Sequence, residues 1–198
     1  MKTSPVILAS TSRYRADLLS RLRVPFRTVD PRVAEEQGVG ETPLALSRRL
    51  ALAKAKAVAR LYPSCTIIGA DQVLNLKGQA LGKPGDPVRA KQQLAQLSEQ
   101  VVTFHSAIAM VSPAGTRISV IDSVAQFRKL STQQIERYVA IDSPTDTAGS
   151  AKAESLGIAL LQELSSNDPT AIIGLPLIEL TRLLSLNGID PLDIATLS

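Results

Sequence analysis

Tryptophan is absent from these 198 residues, and cysteine and histidine occur once each, as Cys65 and His105. A lone cysteine allows no internal disulfide and no zinc cluster, the usage expected in a reducing, cytoplasmic compartment. A lone histidine argues against a histidine metal cage and against a Ser-His-Asp triad. A metal, if used, must then be taken by oxygen ligands, which points to Mg²⁺ or Mn²⁺. Aromatic residues make up 3%, too few for a platform on which single-stranded bases stack. No apolar run approaches the length of a membrane span, and the opening "MKTSPVILAS" turns polar too soon for a signal peptide. Also missing are a glycine-rich loop ending in Lys-Ser/Thr and a dinucleotide fingerprint, which sets aside P-loop enzymes and Rossmann dehydrogenases.

What is present describes an ordinary globular chain. Hydrophobic residues make up 44%, and the length suffices for a sizeable core, as one domain or as two lobes around a cleft. No repeat, low-complexity tract or linker divides residues 1–198, which read as a single domain. Lys and Arg number 22 against 18 Asp and Glu, for a net charge of +4. That excess is modest and scattered for a nucleic-acid binder, and it suits a small anionic ligand better.

Strand and helix signals alternate. Val6–Ala9 reads as a strand and 13–22 as a helix behind a Ser12 N-cap. Phe26–Val29 reads as a short strand and 30–42 as a loop. Thr42-Pro43 opens a helix to about Leu61, and 65–70 is a buried strand ending at Asp71. A hairpin turns at Lys77-Gly78, and Asp86-Pro87 opens a helix to Leu97. Strands over 101–111 and 117–127 meet at "SPAG", and Ser131 with Gln134 forms a capping box for a helix through about Ala140. Short strands are expected at 158–161 and Ala171–Ile173, then a last helix from Pro176 to near Gly188. The expected class is α/β, a mixed sheet flanked by helices.

Charge raises the first functional question. Arg13 and Arg15 fall in the first turn of a helix, where the macrodipole favours carboxylates. Either both face water, or a phosphate bound at Ser10, Ser12 and the turn's N–H groups supplies the missing negative charge. Asp71, closing the apolar run "TIIGA", is either a turn cap or a group at the sheet's carboxyl edge, able to activate water or hold a metal. Lys83 in "LGKP" and Lys54 in "LALAKAKA" are solvated lysines or phosphate contacts. Glu35, Glu36 and Glu41 form a solvated acidic loop or ligands for Mg²⁺. Ser150, Lys152 and Glu154 share a loop bracketed by Gly149 and Gly157, the kind of segment that carries binding residues. Cys65 and His105 read as packed or satisfied strand-region residues without a chemical role.

Taken together, "LASTSRYRADLL", "GETP", "LAKAKA", "GADQVLNLKGQALGKP", "QLSEQVVTFHSAIA", "AGSAKAESLGIAL" and "IIGLPLIEL" follow one another as they do in the Maf family, and the chain resembles that family over nearly its whole length. The resemblance implies a two-lobed mixed-sheet fold, a divalent metal, a homodimer, and hydrolysis of nucleoside triphosphates to monophosphates and diphosphate. Within it, Asp71 matches the proton acceptor, Glu35 the loop glutamate, Lys83 the lysine of "GKP", and Lys54 and Arg15 basic residues of the phosphate site. Glu35 and Asp71 would share the metal. Tyr14, Gln72 and Glu154 match the YceF-like branch, which acts on 7-methyl-GTP; the dTTP/UTP-directed branch would carry arginine, threonine and glutamine there. The competing readings are that pyrimidine-directed branch and a non-enzymatic nucleotide- or DNA-binding regulator of septum formation. Two positions depart from the family pattern. Arg13 replaces a proline, and Ala34 replaces an aspartate before the loop glutamate, which would lose a metal contact or pass it to Glu36.

Overall fold

A computed structural model describes residues 4–194. In chain order they form β1 (Val6–Ala9), α1 (Arg13–Ser20), β2 (Phe26–Val29), α2 (Pro43–Ala59), β3 (Thr66–Leu76), β4 (Gln79–Leu81), α3 (Pro87–Leu97), β5 (Val101–Ser112), β6 (Gly115–Phe127), α4 (Thr132–Asp142), β7 (Leu161–Ser166), α5 (Leu177–Ser185) and α6 (Pro191–Ile194). The strands make one seven-stranded sheet in the order β2-β1-β3-β5-β6-β7, with β4 also on β3. β1 runs parallel to β2 and β3, and every later pairing is antiparallel. The sheet is mixed, with helices packed on it, as expected. No described helix is long and apolar enough to cross a membrane.

Apolar side chains gather in two regions along the long strands. Near β1, Leu8, Ile68 and Ile108 pack under α1 and α5, while Ile7, Ile67 and Ala107 on the opposite face pack under α2. Farther along, Leu74, Phe104 and Phe127 pack with α3 and α4. The alternation of faces along β3 is the two-residue strand period at work.

A gap in the sheet lies between these regions. β1 stops at Ala9, opposite Gly69. β5 holds the other edge of β3 from Ile67 to Asn75, so β4, which joins at Leu74, lies on the β1 side. Residues 70–73 of β3 therefore have no strand neighbour on that side. Asp71 falls in this gap. It is not at the end of its strand, as the sequence suggested, since β3 runs on to Leu76. Its polarity marks an opening beside the strand; no Gly or Pro interrupts the chain before the turn at Lys77 (φ 51) and Gly78 (φ 89).

Four other expectations need correction. Helix α1 ends at Ser20, short of Leu22. The apolar run at 158–161 falls mostly in a 3₁₀ turn, Leu156–Leu160, and the strand follows it as β7. At Gly157 a Cβ would come within 2.5 Å of the Lys152 backbone, so the close approach of the two segments there requires glycine. The segment Ala171–Ile173 is also a 3₁₀ turn. It is set by Asp168, whose Oδ1 accepts from the Thr170 N–H (3.1 Å) and hydroxyl (2.7 Å), and whose Oδ2 accepts from Ile178 N–H (2.7 Å) at the start of α5. Asp168 thus caps α5 from outside, which Pro176 cannot do. The last expected helix, Pro176 to near Gly188, ends at Ser185, and the separate α6 lies beyond its expected span.

Candidate active site

The gap opens into a cleft of about 150 Å³ lined by Ser12, Tyr14, Arg15, Glu35, Lys54, Asp71, Gln72, Lys83 and Glu154 among others. These nine candidates thus meet in one place, Ser10 lines an adjoining recess, and Arg13, Glu36, Glu41, Ser150 and Lys152 line neither. The nine come from α1, the 30–42 loop, α2, β3, the segment after β4 and the loop after α4.

One glycine explains how a buried lysine reaches the centre. A Cβ on Gly69 would lie 2.2 Å from the Ala51 carbonyl oxygen and 2.6 Å from the Ala55 nitrogen, so the close approach of α2 to β3 at this point requires glycine. Lys54 shares that helix face, and Asp71 lies two residues along the same strand face. Lys54 Nζ consequently sits 2.7 Å from Asp71 Oδ1, and also 2.6 Å from Glu35 Oε1. Burial pushes the Asp71 carboxyl above its ordinary range, against the opposing pull of Lys54 and Arg15. Burial would push Glu35 the same way, but the Lys54 hydrogen bond and charge, with Lys83 and Arg15 behind it, hold it below. The two carboxylates around one lysine are thus driven apart in acidity.

Both carboxylates converge on Lys54 Nζ, and their hard oxygen donors are of the kind that suits Mg²⁺ or Mn²⁺. No group of three or more metal-ligating side chains occurs among the described residues. The remaining ligands of such an ion would have to come from substrate oxygens and water. Glu36 does not line the cleft and Glu41 is committed elsewhere. Arg49 donates to Glu41 Oε1 (2.7 Å) and Oε2 (2.8 Å), and also to the Glu36 carbonyl (2.8 Å). With the Gly38 N–H bond to the same carboxylate, this holds Glu41 down to about 2 and clamps the loop next to Glu35.

The two first-turn arginines separate. Arg13 is exposed and lies over the Tyr14 ring, 5.0 Å from its centroid. Arg15 turns into the cleft, where its Nε donates to the Gly174 carbonyl (3.0 Å) and burial lowers its pKa. The serine turn offers less than expected. The Ser10 N–H is taken by the Leu8 carbonyl (3.0 Å), and the Ser12 N–H by Ser10 Oγ (3.1 Å). Ser12 Oγ caps α1 by accepting from Arg15 N–H (3.4 Å). The turn therefore shapes the helix start, and the side chains carry the charge.

Gln72 has less freedom than its residue type suggests. Its amide nitrogen donates to Ser106 Oγ (3.0 Å) and to the carbonyls of Ala171 and Ile172 (2.9 Å each), leaving only Oε1 for a ligand. The Tyr14 hydroxyl donates to Asp146 Oδ2 (3.2 Å), and Lys152 Nζ lies 3.4 Å from Asp146 Oδ1 and 5.8 Å from the Tyr14 centroid. Lys152 also donates to the Asp142 (2.9 Å) and Ser143 (3.2 Å) carbonyls. Burial, with the charges of Asp142 and Asp146, raises Glu154. Thr147 Oγ1 is buried without a hydrogen-bond partner among the described residues, and Thr147 lines the cleft.

Arg49, Asp146 and Thr147 were not foreseen. Nothing in the local sequence distinguishes Arg49 from its neighbour Arg48, and the 143–154 loop has no periodicity to read. His105 and Cys65 lie outside the cleft: His105 bonds Asp122 (2.7 Å) and Asn75 (3.2 Å), and Cys65 is buried in the core.

The profile of the family described as "Maf-like protein" matches residues 5–186. A protein of Bordetella avium named 7-methyl-GTP pyrophosphatase is 53% identical over 187 residues, 94% of this chain and 95% of its own. Proteins of the same name from Albidiferax ferrireducens and Xanthomonas campestris pv. campestris are each 48% identical, over 94% and 92% of this chain and 95% and 96% of theirs.

Proposed function

The chain belongs to the Maf family, and from that premise we propose that it is a nucleoside triphosphate pyrophosphatase acting on 7-methyl-GTP, releasing 7-methyl-GMP and diphosphate. The observation that carries the reading is the make-up of one cleft. Arg15, Lys54 and Lys83 line it together with Asp71 and Glu35, and so do Tyr14, Gln72 and Glu154.

Hydrolysis needs a proton acceptor, charge neutralisation and a fixed substrate. Asp71, raised in pKa yet held by Lys54 at 2.7 Å, is suited to take a proton from water near neutral pH. The water oxygen bonds to phosphorus, one P–O bond of the α–β bridge breaks, and the departing phosphate oxygens carry away the negative charge. Arg15, Lys54 and Lys83 neutralise those oxygens from positions fixed before the reaction. A divalent cation, Mg²⁺ or Mn²⁺, would be held by Glu35 and Asp71 and would supply further neutralisation of the phosphates when bound. This reading also answers the charge conflict at the start of α1. Arg15 is aimed at phosphate, and Arg13 escapes to solvent over Tyr14.

N7-methylation gives guanine a delocalised positive charge. The Tyr14 ring already has cations against it in Arg13 and Lys152, the electrostatics a cationic base requires. Lys152 is paired with Asp146, which leaves the Glu154 carboxylate to accept from the guanine N1–H and amine and to oppose the ring's charge. Gln72 contributes an acceptor, and the Thr147 hydroxyl one further hydrogen bond.

The test is diphosphate release from a panel of canonical and modified triphosphates, with Mg²⁺ and with Mn²⁺, before and after chelation. The highest kcat/KM is expected for 7-methyl-GTP, with no turnover in chelator. A preference for dTTP or UTP would overturn the base assignment, and no release from any nucleotide would overturn the enzyme.

A further inference from the structure

Adjoining the cleft is a recess of about 90 Å³. It shares Ser12, Arg15, Glu35, Lys54 and Lys83 with the cleft and continues outward to Asp30 and Arg32. The two cavities differ in their walls. Leu46, Leu50 and Val73 face the cleft, whereas the recess sets four cations, Arg15, Arg32, Lys54 and Lys83, against two carboxylates, Asp30 and Glu35. Tyr14, Gln72 and Glu154 do not line it.

Arg32 is the recess's own cation. Its backbone has φ 47, a left-handed conformation that side chains with a Cβ rarely adopt. Asp30 holds it there, its Oδ1 accepting from the Arg32 N–H at 3.0 Å. The guanidinium itself is only loosely paired, 3.9 Å from Asp30 Oδ2 with 88% of the side chain exposed. Such a group is free to turn toward an arriving anion, and backbone strain of this kind collects at functional sites.

We propose that the recess is the seat of the departing diphosphate, and that Arg32 is the outer cation that binds it. This rests on the reading of the cleft as a triphosphate site. With the base at Tyr14 and Glu154, and the scissile bridge at the residues common to both cavities, the β- and γ-phosphates extend into the recess. Its cationic excess there matches a polyanion, and the planar fork of Arg32 can meet two phosphate oxygens at once. A diphosphate left in the recess after cleavage blocks the tail of the next substrate, so it is a competitive product inhibitor.

Calorimetric titration in the presence of Mg²⁺ tests this, with inorganic diphosphate and, separately, 7-methyl-GMP as probes, on the wild type, Arg32→Ala and Arg32→Lys. Arg32→Ala should weaken diphosphate binding about tenfold, the loss expected for a charged hydrogen bond. Arg32→Lys should recover part of it, and 7-methyl-GMP should bind all three within about twofold. Unchanged diphosphate affinity in Arg32→Ala, or an equal loss for both probes, overturns the subsite. A wild type that takes diphosphate but not 7-methyl-GMP overturns the base reading and leaves the subsite standing.

Discussion

Lys54 and Asp71 project from a helix and a strand that touch at Gly69, and each side chain is buried. Asp146, Thr147 and Glu154, which line the same cleft, sit on a loop whose regular structure is limited to short 3₁₀ turns. The contrast divides the labour of the molecule. On the proposed reading, Arg15, Lys54 and Asp71, which any triphosphate would need, stand on α1, α2 and β3, whereas Glu154, which would help choose among bases, stands on a loop that can vary without disturbing the sheet. Substitutions in the two sets should therefore produce different kinetic signatures, not merely different losses.

The largest effect is expected at Asp71. Asp71→Asn keeps the shape and hydrogen bonds of the side chain but removes the proton acceptor, so kcat should fall by about 10²–10⁴-fold for every nucleotide. Nucleotide binding, measured directly, should survive through Arg15 and Lys83. A mutant with most of its kcat would return Asp71 to the role of a partner for Lys54. Next comes Lys83→Ala, chosen because Lys83 is exposed and its loss leaves the packing intact. It should lower kcat/KM about 10- to 100-fold, by the same factor for 7-methyl-GTP and GTP. A loss confined to one base would place Lys83 among the base-reading residues.

How much of this division the sequence reveals follows the same line. The cap-plus-proline start of α2 and the serine turn before Arg15 are local signals that fell where expected, whereas the strand expected to end at Asp71 runs on to Leu76. Lys54 stood out because a charge interrupts an apolar helix face. The boundary errors at 158–161 and Ala171–Ile173 arose where short apolar runs lack a period that separates strand from turn. There the deciding contacts are long-range, such as Asp168 reaching the N-terminus of α5. Likewise, only the folded chain shows that Gln72 spends its amide on Ala171 and Ile172, or that β1 stops short of β3. Loop residues such as Asp146 and Thr147 have no pattern of their own, because a loop's function depends on what it faces.

Glu154 sharpens the comparison through pH. Its carboxyl is raised by burial and by Asp142 and Asp146, so on acidification it takes up a proton at a higher pH than a free glutamate does. The protonated form has lost the charge that favours a cationic ring. The ratio of kcat/KM for 7-methyl-GTP over GTP should therefore fall on acidification, beginning above the ordinary glutamate range. Because Asp71 serves both substrates, its own titration cancels in that ratio. Glu154→Gln should lower the ratio about tenfold at neutral pH and remove its pH dependence. A ratio that is flat in the wild type would take charge recognition away from Glu154.

The smallest expected effect, at Thr147, has the most specific sign. A buried hydroxyl with no partner destabilises a fold by about 1–3 kcal/mol relative to an apolar group of the same shape. Thr147 Oγ1 is such a group in the ligand-free cleft. Thr147→Val removes it with little change in volume, so the free protein should gain stability, on the order of 1 kcal/mol by denaturant unfolding. If the hydroxyl is kept to bond the base, the same variant should bind 7-methyl-GMP more weakly, by about three- to tenfold, and should gain less stability than the wild type when that nucleotide is added. Stability and affinity then move in opposite directions, which a purely structural threonine cannot produce. A variant that loses stability shows that Oγ1 is satisfied in the free protein. One that gains stability with unchanged affinity leaves base reading to Tyr14, Gln72 and Glu154 alone.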